Sequence, residues 1–326
     1  MAATSKPKKN VHPKRIVITS GDSDGIGLEI AVKALVKVGT KRDTNFILFR
    51  SVQSLDKQIR RLRRHFKVQS ATSWHEAVNI SQQSSGGLLI DIASKQSPAF
   101  WFEQAALAAI HLENTHLVTA PLSKTEIHRA GMKDLGHTDI LKRLNPQREL
   151  FMAFVGSKYC SLLLTEHIPL NLVTKRLSVE RVHHGLLAAL KLREQLDAKK
   201  RNKPIALLGI NPHASEDSLI GTDEEKFYKP ALDLTKSKVF EGPFAADSFF
   251  ARHRYKDYSV VVSPYHDQGL VPFKLLHEDH DAFQLTLGLP FVRTSVDHGT
   301  AKDIFGKDRA RSDSMVSALN WALKNT

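Results

Sequence analysis

Residues 258–274 have the sequence YSVVVSPYHDQGLVPFK, in which an apolar β-branched run ends at Pro264. Such a run, halted by proline, predicts a buried β-strand. The ten residues from Tyr265 to Lys274 then bring together an imidazole, a carboxylate, an amide, a glycine and an ammonium. Ligands of α/β sheets bind just past the carboxyl ends of the strands, so the segment predicts an α/β fold with a functional site here. The alternative is an ordinary strand-to-helix loop with incidental polar residues.

Two further segments consist of an apolar strand followed by a loop with a histidine and a proline. They are SLLLTEHIP, which contains His167, and LLGINPHASE, which contains His213. Neutral imidazole is the commonest protein ligand for zinc and similar ions, and three imidazoles leave a coordination position open. One histidine among the 16 of this chain is more often a solvated or core residue. The shared context nevertheless makes His167, His213 and His266 a candidate site for a divalent metal of the zinc, cobalt or magnesium type.

Four motifs resemble those of the 4-hydroxythreonine-4-phosphate dehydrogenase family. They are GHTD from Gly136, NPHA from Asn211, YHDQGLVPFK from Tyr265 and TLGLPFVRTSVDHGTA from Thr286. The resemblance implies a metal-dependent oxidation of 4-phosphohydroxy-L-threonine by NAD or NADP in vitamin B6 biosynthesis. The 3-keto acid formed would then lose carbon dioxide to give 3-amino-2-oxopropyl phosphate.

The resemblance also implies roles for individual residues. The metal ligands fall on His167, His213 and His266, contributed by both subunits of a homodimer to shared active sites. The substrate contacts fall on His137, Thr138, Lys274, Gln284 and Arg293. A phosphorylated carboxylic acid requires fixed cations, and an arginine offers a planar fork whereas a lysine offers a point charge. Without the family, Arg293 is equally well an ordinary arginine at the end of a strand.

The nicotinamide cofactor has two candidate loops. Residues 21–30, GDSDGIGLEI, follow an apolar strand, but their spacing is G-x-x-x-G-x-G and the usual dinucleotide fingerprint is absent. A tight turn whose aspartates cap the following helix is as good an interpretation of them as nucleotide contact. The family resembles the isocitrate and isopropylmalate dehydrogenases, whose HGTA loop lies near the adenosine half of NAD. We therefore expect cofactor contacts at His298, Gly299 and Thr300, where glycine allows close approach and threonine supplies a hydroxyl.

Three residues are candidates for the general acid or base. Lys274 can take the hydroxyl proton if its pKa is depressed near the metal. Asp267 and Asp247 are the carboxylates best placed by sequence, but either can instead orient a metal histidine. A helix cap is an equally good interpretation of Asp247.

The chain departs from the family's pattern at several positions. Gln284 stands where the family usually has asparagine, and the segment 277–281 before it is one residue longer than usual. Ser23 and Leu28 stand where the first loop of the family has prolines. These departures leave the metal histidines in place. They favour, as an alternative, a related dehydrogenase that acts on another phosphorylated hydroxy acid or on a diol.

Strand-like runs alternate with helix-length segments along the 326 residues, which predicts an α/β fold. With the resemblance, we expect two α/β/α domains with an inter-domain cleft, as in the isocitrate and isopropylmalate dehydrogenases. The first domain would comprise residues 15–137 plus about 282–326 with the cofactor loop. The second would comprise about 138–281 with the metal site and the dimer contacts. Residues 1–14 form a basic tail that we expect to be disordered.

The net charge of +13 raises the alternative of a nucleic-acid-binding protein on the same fold. The basic runs lack the interleaved aromatic residues of a single-strand platform, so we interpret them as solvated faces and expect no nucleic-acid partner. No apolar span approaches the roughly 18 residues that a membrane helix requires. The segment from Met1 to Arg15 has no apolar core of a leader peptide, and the single cysteine, Cys160, suits a reducing compartment. We therefore expect a cytoplasmic protein without a membrane partner.

Overall fold

The structure, a computed structural model, describes residues 13–54, 56–277 and 281–325. Helices and strands alternate along most of the chain. The strands are β1 (Lys14–Thr19), β2 (Thr44–Ser51), β3 (Lys67–Ala71), β4 (Leu88–Ser94), β5 (Thr115–Thr119), β6 (Phe151–Val155), β7 (Cys160–Leu163), β8 (Ile205–Leu208), β9 (Phe240–Phe244), β10 (Val260–Ser263), β11 (Phe283–Leu287) and β12 (Arg293–Val296). The helices are α1 (Gly27–Val38), α2 (Asp56–His65), α3 (Trp74–Gln83), α4 (Pro98–His111), α5 (Lys124–Arg129), α6 (His137–Leu144), α7 (Val173–Arg176), α8 (Val179–Gln195), α9 (Ala198–Arg201), α10 (Lys229–Thr235), α11 (Ala246–Ala251), α12 (His266–Leu276) and α13 (Asp313–Lys324).

The strands form a single mixed sheet in the order β3-β4-β2-β1-β5-β12-β11-β6-β7-β10-β8-β9. Neighbouring strands are parallel from β3 to β12 and again from β7 to β9. The pairs β12–β11, β11–β6 and β6–β7 between these two groups are antiparallel. The centre of the sheet is therefore an antiparallel segment flanked by two parallel groups.

Helices cover both faces of the sheet. In β1, Ile16 and Ile18 belong to one apolar cluster, which includes residues of α1 and α13, whereas Val17 belongs to another, which includes residues of α4. Successive side chains of a strand point to opposite faces, so a strand buried on both sides is a continuous apolar run. This three-layer arrangement confirms the α/β fold predicted from the alternation of strands and helices.

The glycines of the first loop have packing roles. Gly21 has a φ of +65°, and a Cβ atom there would lie 1.9 Å from the carbonyl oxygen of Pro121. A Cβ atom at Gly27 would lie 1.9 Å from the carbonyl oxygen of Ser20. The spacing G-x-x-x-G-x-G therefore lets the loop turn and lets α1 begin close to the end of β1.

Several predictions of elements are confirmed with small shifts of their bounds. The run before Pro264 is β10, and Cys160 is a fully buried residue of β7. Ser123 caps α5, since its side chain accepts a hydrogen bond from the backbone of Glu126. The two-domain division stays a prediction. Most of the basic tail and most of the lengthened segment 277–281 lie outside the described residues, and β1 begins at Lys14.

Among the helices of the described ranges, none is long and apolar enough to cross a bilayer.

Candidate active site

A cavity of about 1010 Å³ opens over the antiparallel centre of the sheet. Because side chains alternate along strands, one face presents Met152 and Phe154 of β6, Gln284 of β11, and Arg293 and Ser295 of β12. The walls come from residues 121–124, 135–139, 165–168 and 297–300. The volume is at the upper end of the range of small-molecule sites, which suits a substrate together with part of a cofactor.

Arg293 lies in the floor of the cavity and is only 2% exposed. Its guanidinium donates hydrogen bonds to Gln284 Oε1, to Thr286 Oγ1 at 3.1 Å and to Thr119 Oγ1 at 2.8 Å. In the described part of the chain these partners are all uncharged, and Arg293 Nε has none. Burial lowers the pKa of Arg293 to about 9, so the side chain remains charged at neutral pH. A buried cation without a counter-ion favours an anionic ligand in the cavity.

His137 and Thr138 begin α6 directly after Gly136 and line the same cavity. The His137 ring packs against Phe102 with 4.4 Å between ring centroids. Burial, followed by the positive charge of Arg293, holds the pKa of His137 well below its ordinary value. His137 is therefore a neutral imidazole at neutral pH. Its buried Nε2 has no hydrogen-bond partner among the described residues and is left for a ligand.

The three predicted metal histidines follow three neighbouring parallel strands. His167 follows β7, His266 follows β10 and His213 follows β8, and β10 lies between the other two strands. Their carboxyl ends therefore meet at one edge of the sheet. Side-chain hydrogen bonds join the loops there: Thr165 Oγ1 donates to the Pro264 carbonyl at 2.7 Å, and Gln268 Nε2 donates to the Gly209 carbonyl at 2.9 Å. The backbone N–H of Thr165 also donates to the Pro264 carbonyl, at 3.1 Å.

Two of these histidines meet within one chain. The rings of His167 and His266 have centroids 5.0 Å apart, and His167 lines the cavity. Asp267 Oδ1 lies 2.7 Å from His266 Nδ1, the position of a carboxylate that orients a metal histidine. Burial, followed by the electrostatic effect of the nearby His266 ring, lowers the pKa of His167.

His213 is exposed and lies outside the cavity. It begins a run of six residues, 213–218, that all have φ between +43° and +69°. Left-handed backbone of this kind costs roughly 1–2 kcal/mol per residue other than glycine, and such strain concentrates at functional sites. Within the described residues no three His, Cys, Asp or Glu side chains of one chain are placed to hold a metal. The three-histidine site, which the sequence analysis assigns to two subunits, stays a prediction.

The structure distinguishes the three candidates for proton transfer. Lys274 Nζ lies 2.9 Å from Asp297 Oδ2, and Asp297 lines the cavity. Asp267 is largely exposed and contacts His266 instead. Asp247 is exposed in the first turn of α11, away from the cavity. No side chain caps α11, so the interpretation of Asp247 as a helix cap is wrong.

His298, Gly299 and Thr300 all line the cavity. A Cβ atom at Gly299 would meet nothing within 4 Å, so a ligand has room to approach the backbone there. A hydrogen bond connects this loop to the start of α1: the backbone N–H of Ile26 donates to the carbonyl oxygen of Thr300 at 3.0 Å.

The aspartates of the first loop do not cap α1. Ile26 precedes the helix without a side-chain cap, so the capping interpretation is wrong. Asp22 Oδ1 instead accepts a hydrogen bond from the backbone of Ser123 at 2.8 Å. Asp22 and Asp24 also pair with Lys302 Nζ, at 3.1 and 2.7 Å. Both aspartates thus fasten the first loop to the segment that follows Thr300.

Four residues of the site were missed by sequence reasoning: Thr119, Thr286, Asp297 and Glu166. Thr286 lies two residues after Gln284, and this period of two is the signal that places both beside Arg293. Asp297 directly precedes the predicted cofactor loop. Thr119 is brought to Arg293 by the pairing of β5 with β12, for which the sequence holds no local signal.

The chain is similar to known proteins over most of its length. A family model described as "Pyridoxal phosphate biosynthetic protein PdxA" matches residues 42–322. The chain is 34% identical over 324 residues to the 4-hydroxythreonine-4-phosphate dehydrogenase of Sulfurihydrogenibium sp. (strain YO3AOP1). This alignment covers 95% of this chain and 97% of the relative. The chain is 30% identical over 326 residues to the D-threonate 4-phosphate dehydrogenase of Salmonella typhimurium. This alignment covers 95% of this chain and 98% of the relative.

Solved structures show the same similarity. A 4-hydroxythreonine-4-phosphate dehydrogenase from Burkholderia phymatum has a TM-score of 0.70 and 28% identity, over 96% of this chain and 97% of that chain. A β-decarboxylating dehydrogenase from Thermococcus kodakarensis has a TM-score of 0.52 at 12% identity, over 94% and 83%. The second likeness concerns the fold alone. It agrees with the predicted resemblance to the isocitrate and isopropylmalate dehydrogenases.

Proposed function

The chain belongs to the PdxA family of pyridoxal phosphate biosynthetic proteins, as its motifs predict, and we propose that it oxidises 4-phosphohydroxy-L-threonine with NAD or NADP. The 3-keto acid formed loses carbon dioxide to give 3-amino-2-oxopropyl phosphate. One observation carries the proposal: Arg293 is a buried cation with only uncharged partners among the described residues, in the floor of a cavity that also contains His137 and His167. Such a site suits an anionic substrate with a hydroxyl group to be oxidised.

In this proposal Arg293, His137 and Thr138 bind the substrate in the cavity. Lys274 is the candidate for proton transfer that the geometry supports best, because its Nζ atom contacts a residue of the cavity wall. Residues 298–300 would hold the nicotinamide cofactor, which would supply the hydride acceptor. The open space at Gly299 supports this role.

The donor set suits a divalent metal. His167 and His266 offer two adjacent imidazoles, and a carboxylate orients one of them. His213 of a second subunit would complete the three ligands. When bound, the metal supplies Lewis-acid polarisation of the substrate hydroxyl.

A homodimer is part of the proposal, and exposed apolar side chains support it. Large apolar residues lie on the same loops or helix as the three histidines, and their exposed fractions are 71% for Leu170, 83% for Leu219, 46% for Ile220, 57% for Val271 and 67% for Leu275. Exposed apolar side chains that are grouped in this way mark interaction sites, whereas singly scattered ones are ordinary surface. Covering it with a second subunit would bury apolar surface beside each of the metal histidines.

The proposed setting is the cytoplasm, with a phosphorylated small molecule and no nucleic acid as partner. The buried cysteine and the absence of aromatic residues from the basic runs support this setting.

The proposal is tested by following NADH or NADPH formation by absorbance with 4-phosphohydroxy-L-threonine. We expect turnover that disappears when divalent metal is stripped from the protein and returns when zinc, cobalt or magnesium is restored. Turnover that is equally fast without metal would contradict the metal site. A protein that binds metal but leaves the compound unchanged would contradict the substrate.

A second candidate function is oxidation of another phosphorylated hydroxy acid, and one residue favours it. Both polar atoms of the Gln284 amide are hydrogen-bonded to protein side chains. Its Oε1 atom accepts from Arg293, and its Nε2 atom donates to Thr286 Oγ1 at 3.1 Å. The similarity to a D-threonate 4-phosphate dehydrogenase makes that compound the first alternative to assay.

We expect the substitution Gln284→Asn to leave turnover of 4-phosphohydroxy-L-threonine similar or to raise it. The shorter amide releases Arg293, which keeps its bonds to Thr119 and Thr286, and restores the side chain usual in the family. Steady-state kinetics of the variant and of the unaltered protein decide the matter. Complete loss of activity in a variant that melts normally would show that the substrate site is built around the longer side chain.

A further inference from the structure

Glu166 is a buried carboxylate of the cavity wall to which neither the family motifs nor the proposed chemistry gives a role. It is 7% exposed, lines the cavity and directly precedes His167. Its Oε2 atom lies 3.0 Å from Lys142 Nζ. Its Oε1 atom is buried and has no hydrogen-bond partner in the ranges that the structure describes.

A buried carboxylate oxygen without a donor is unfavourable, and a ligand that supplies a donor removes the cost. Lys142 satisfies only one of the two oxygens, and its own side chain is 40% exposed, so water weakens the pair. The cavity thus contains a cation with only uncharged partners in its floor, Arg293, and a half-satisfied carboxylate in its wall. A ligand that carries both an anionic group and an ammonium group complements such a cavity.

We propose that Glu166 recognises the ammonium group of the substrate and thereby sets a preference for 2-amino over 2-hydroxy phosphorylated acids. This inference rests on the proposed function. In 4-phosphohydroxy-L-threonine the carbon that bears the amino group is bonded to the carbon that bears the reacting hydroxyl. A hydroxyl held next to His167 therefore brings the amino group to the neighbouring side chain, Glu166. D-threonate 4-phosphate has a neutral hydroxyl in place of the ammonium and gains no ionic attraction there.

The test compares kcat/KM for the two compounds in the full-length protein and in the Glu166→Gln variant. The variant keeps the size of the side chain and removes its charge. Hydrogen bonds to charged groups contribute roughly 1.5–3 kcal/mol, so we expect the ratio of amino to hydroxy substrate to fall about ten-fold or more. The change should appear mainly in KM of the amino substrate. An equal loss with both compounds, or an unchanged ratio, would overturn the inference.

Two further variants separate recognition from structure. Glu149→Gln alters another carboxylate of the cavity wall, 46% exposed and paired with Arg181, and should leave the ratio unchanged. Glu166→Asp keeps the charge and should retain part of the preference. Titration with Co²⁺ should show equal metal affinity in Glu166→Gln and the unaltered protein, and a loss of metal in that variant would assign Glu166 to the metal site instead.

The Lys142→Gln variant is expected to change the ratio of amino to hydroxy substrate in the opposite direction. This test does not depend on the folding of a Glu166 variant. Removing the competing cation should raise the ratio of amino to hydroxy substrate, and a fall in the ratio would contradict the inference. Turnover of neither compound by the unaltered protein would overturn the proposed function and this inference with it. Turnover of both compounds with an unchanged ratio in Glu166→Gln would overturn the inference alone.

Discussion

Replacing His266 with alanine is expected to abolish metal-dependent turnover, by more than about 100-fold, while the protein stays folded. Changes to residues that only support metal ligands already cost 10- to 100-fold, so the loss of a ligand should cost more. Folding should be spared because the side chain is 31% exposed, begins α12 and is bonded to an exposed aspartate. Surface substitutions of this kind usually change the free energy of unfolding by about 0.5 kcal/mol or less.

The measurement combines the rate of NADH formation with the metal content of the purified protein and its thermal melting curve. His184→Ala is the matched control, because His184 is an exposed helical histidine of α8 outside the cavity. It should retain activity and metal. Undiminished turnover in His266→Ala would refute the metal assignment, and a loss of turnover with full metal content would move His266 from metal binding to substrate binding.

The sequence predicted the location of the site better than its internal contacts. Each predicted metal histidine follows an apolar run, and the structure places those three runs side by side as β7, β10 and β8. Parallel strands present their carboxyl ends at one edge of a sheet, which is why the three loops lie side by side. Whether two histidines lie close together depends on strand pairing and on the second subunit. The sequence therefore identifies His213 as a candidate ligand but does not predict its distance from the other two histidines.

The wrong prediction that the aspartates of the first loop cap α1 also has a physical cause. Asp22 and Asp24 precede a helix, where aspartate usually caps, yet they bind Ser123 and Lys302 from distant parts of the chain. A local pattern cannot show a partner that lies some 100 or 280 residues away. The hydrogen-bond partners of Arg293 also differ in how far the sequence predicts them. Thr286 follows from strand periodicity, whereas Thr119 requires knowledge of the strand order.

Replacing Arg293 with methionine is expected to lower kcat/KM for the phosphorylated substrate by about 30-fold or more. Truncating one partner of a buried, hydrogen-bonded charge pair costs roughly 2–5 kcal/mol, and Arg293 is the buried cation that an anionic substrate would meet. Arg293→Lys should recover only part of the loss, because an ammonium keeps the charge but not the planar fork. Arg148→Met, which removes an exposed arginine outside the cavity, should have little effect.

The stability of the Arg293→Met protein distinguishes a binding role from a structural one. Methionine replaces a buried cation that has only uncharged partners among the described residues, so the substitution removes the cost of keeping a charge out of water. The hydroxyl of Thr119 keeps a bond to the Thr294 carbonyl at 3.4 Å and Thr286 Oγ1 keeps its bond from Gln284 Nε2, so among these three partners Gln284 Oε1 alone loses its donor. We therefore expect the free variant to melt within a few degrees of the unaltered protein. Inorganic phosphate should raise the melting temperature of the unaltered protein and not that of the variant, because a ligand stabilises only the folded state that binds it. If the variant instead melts far lower and phosphate stabilises both proteins equally, then Arg293 holds the centre of the sheet together, and the anionic group of the substrate binds elsewhere in the cavity.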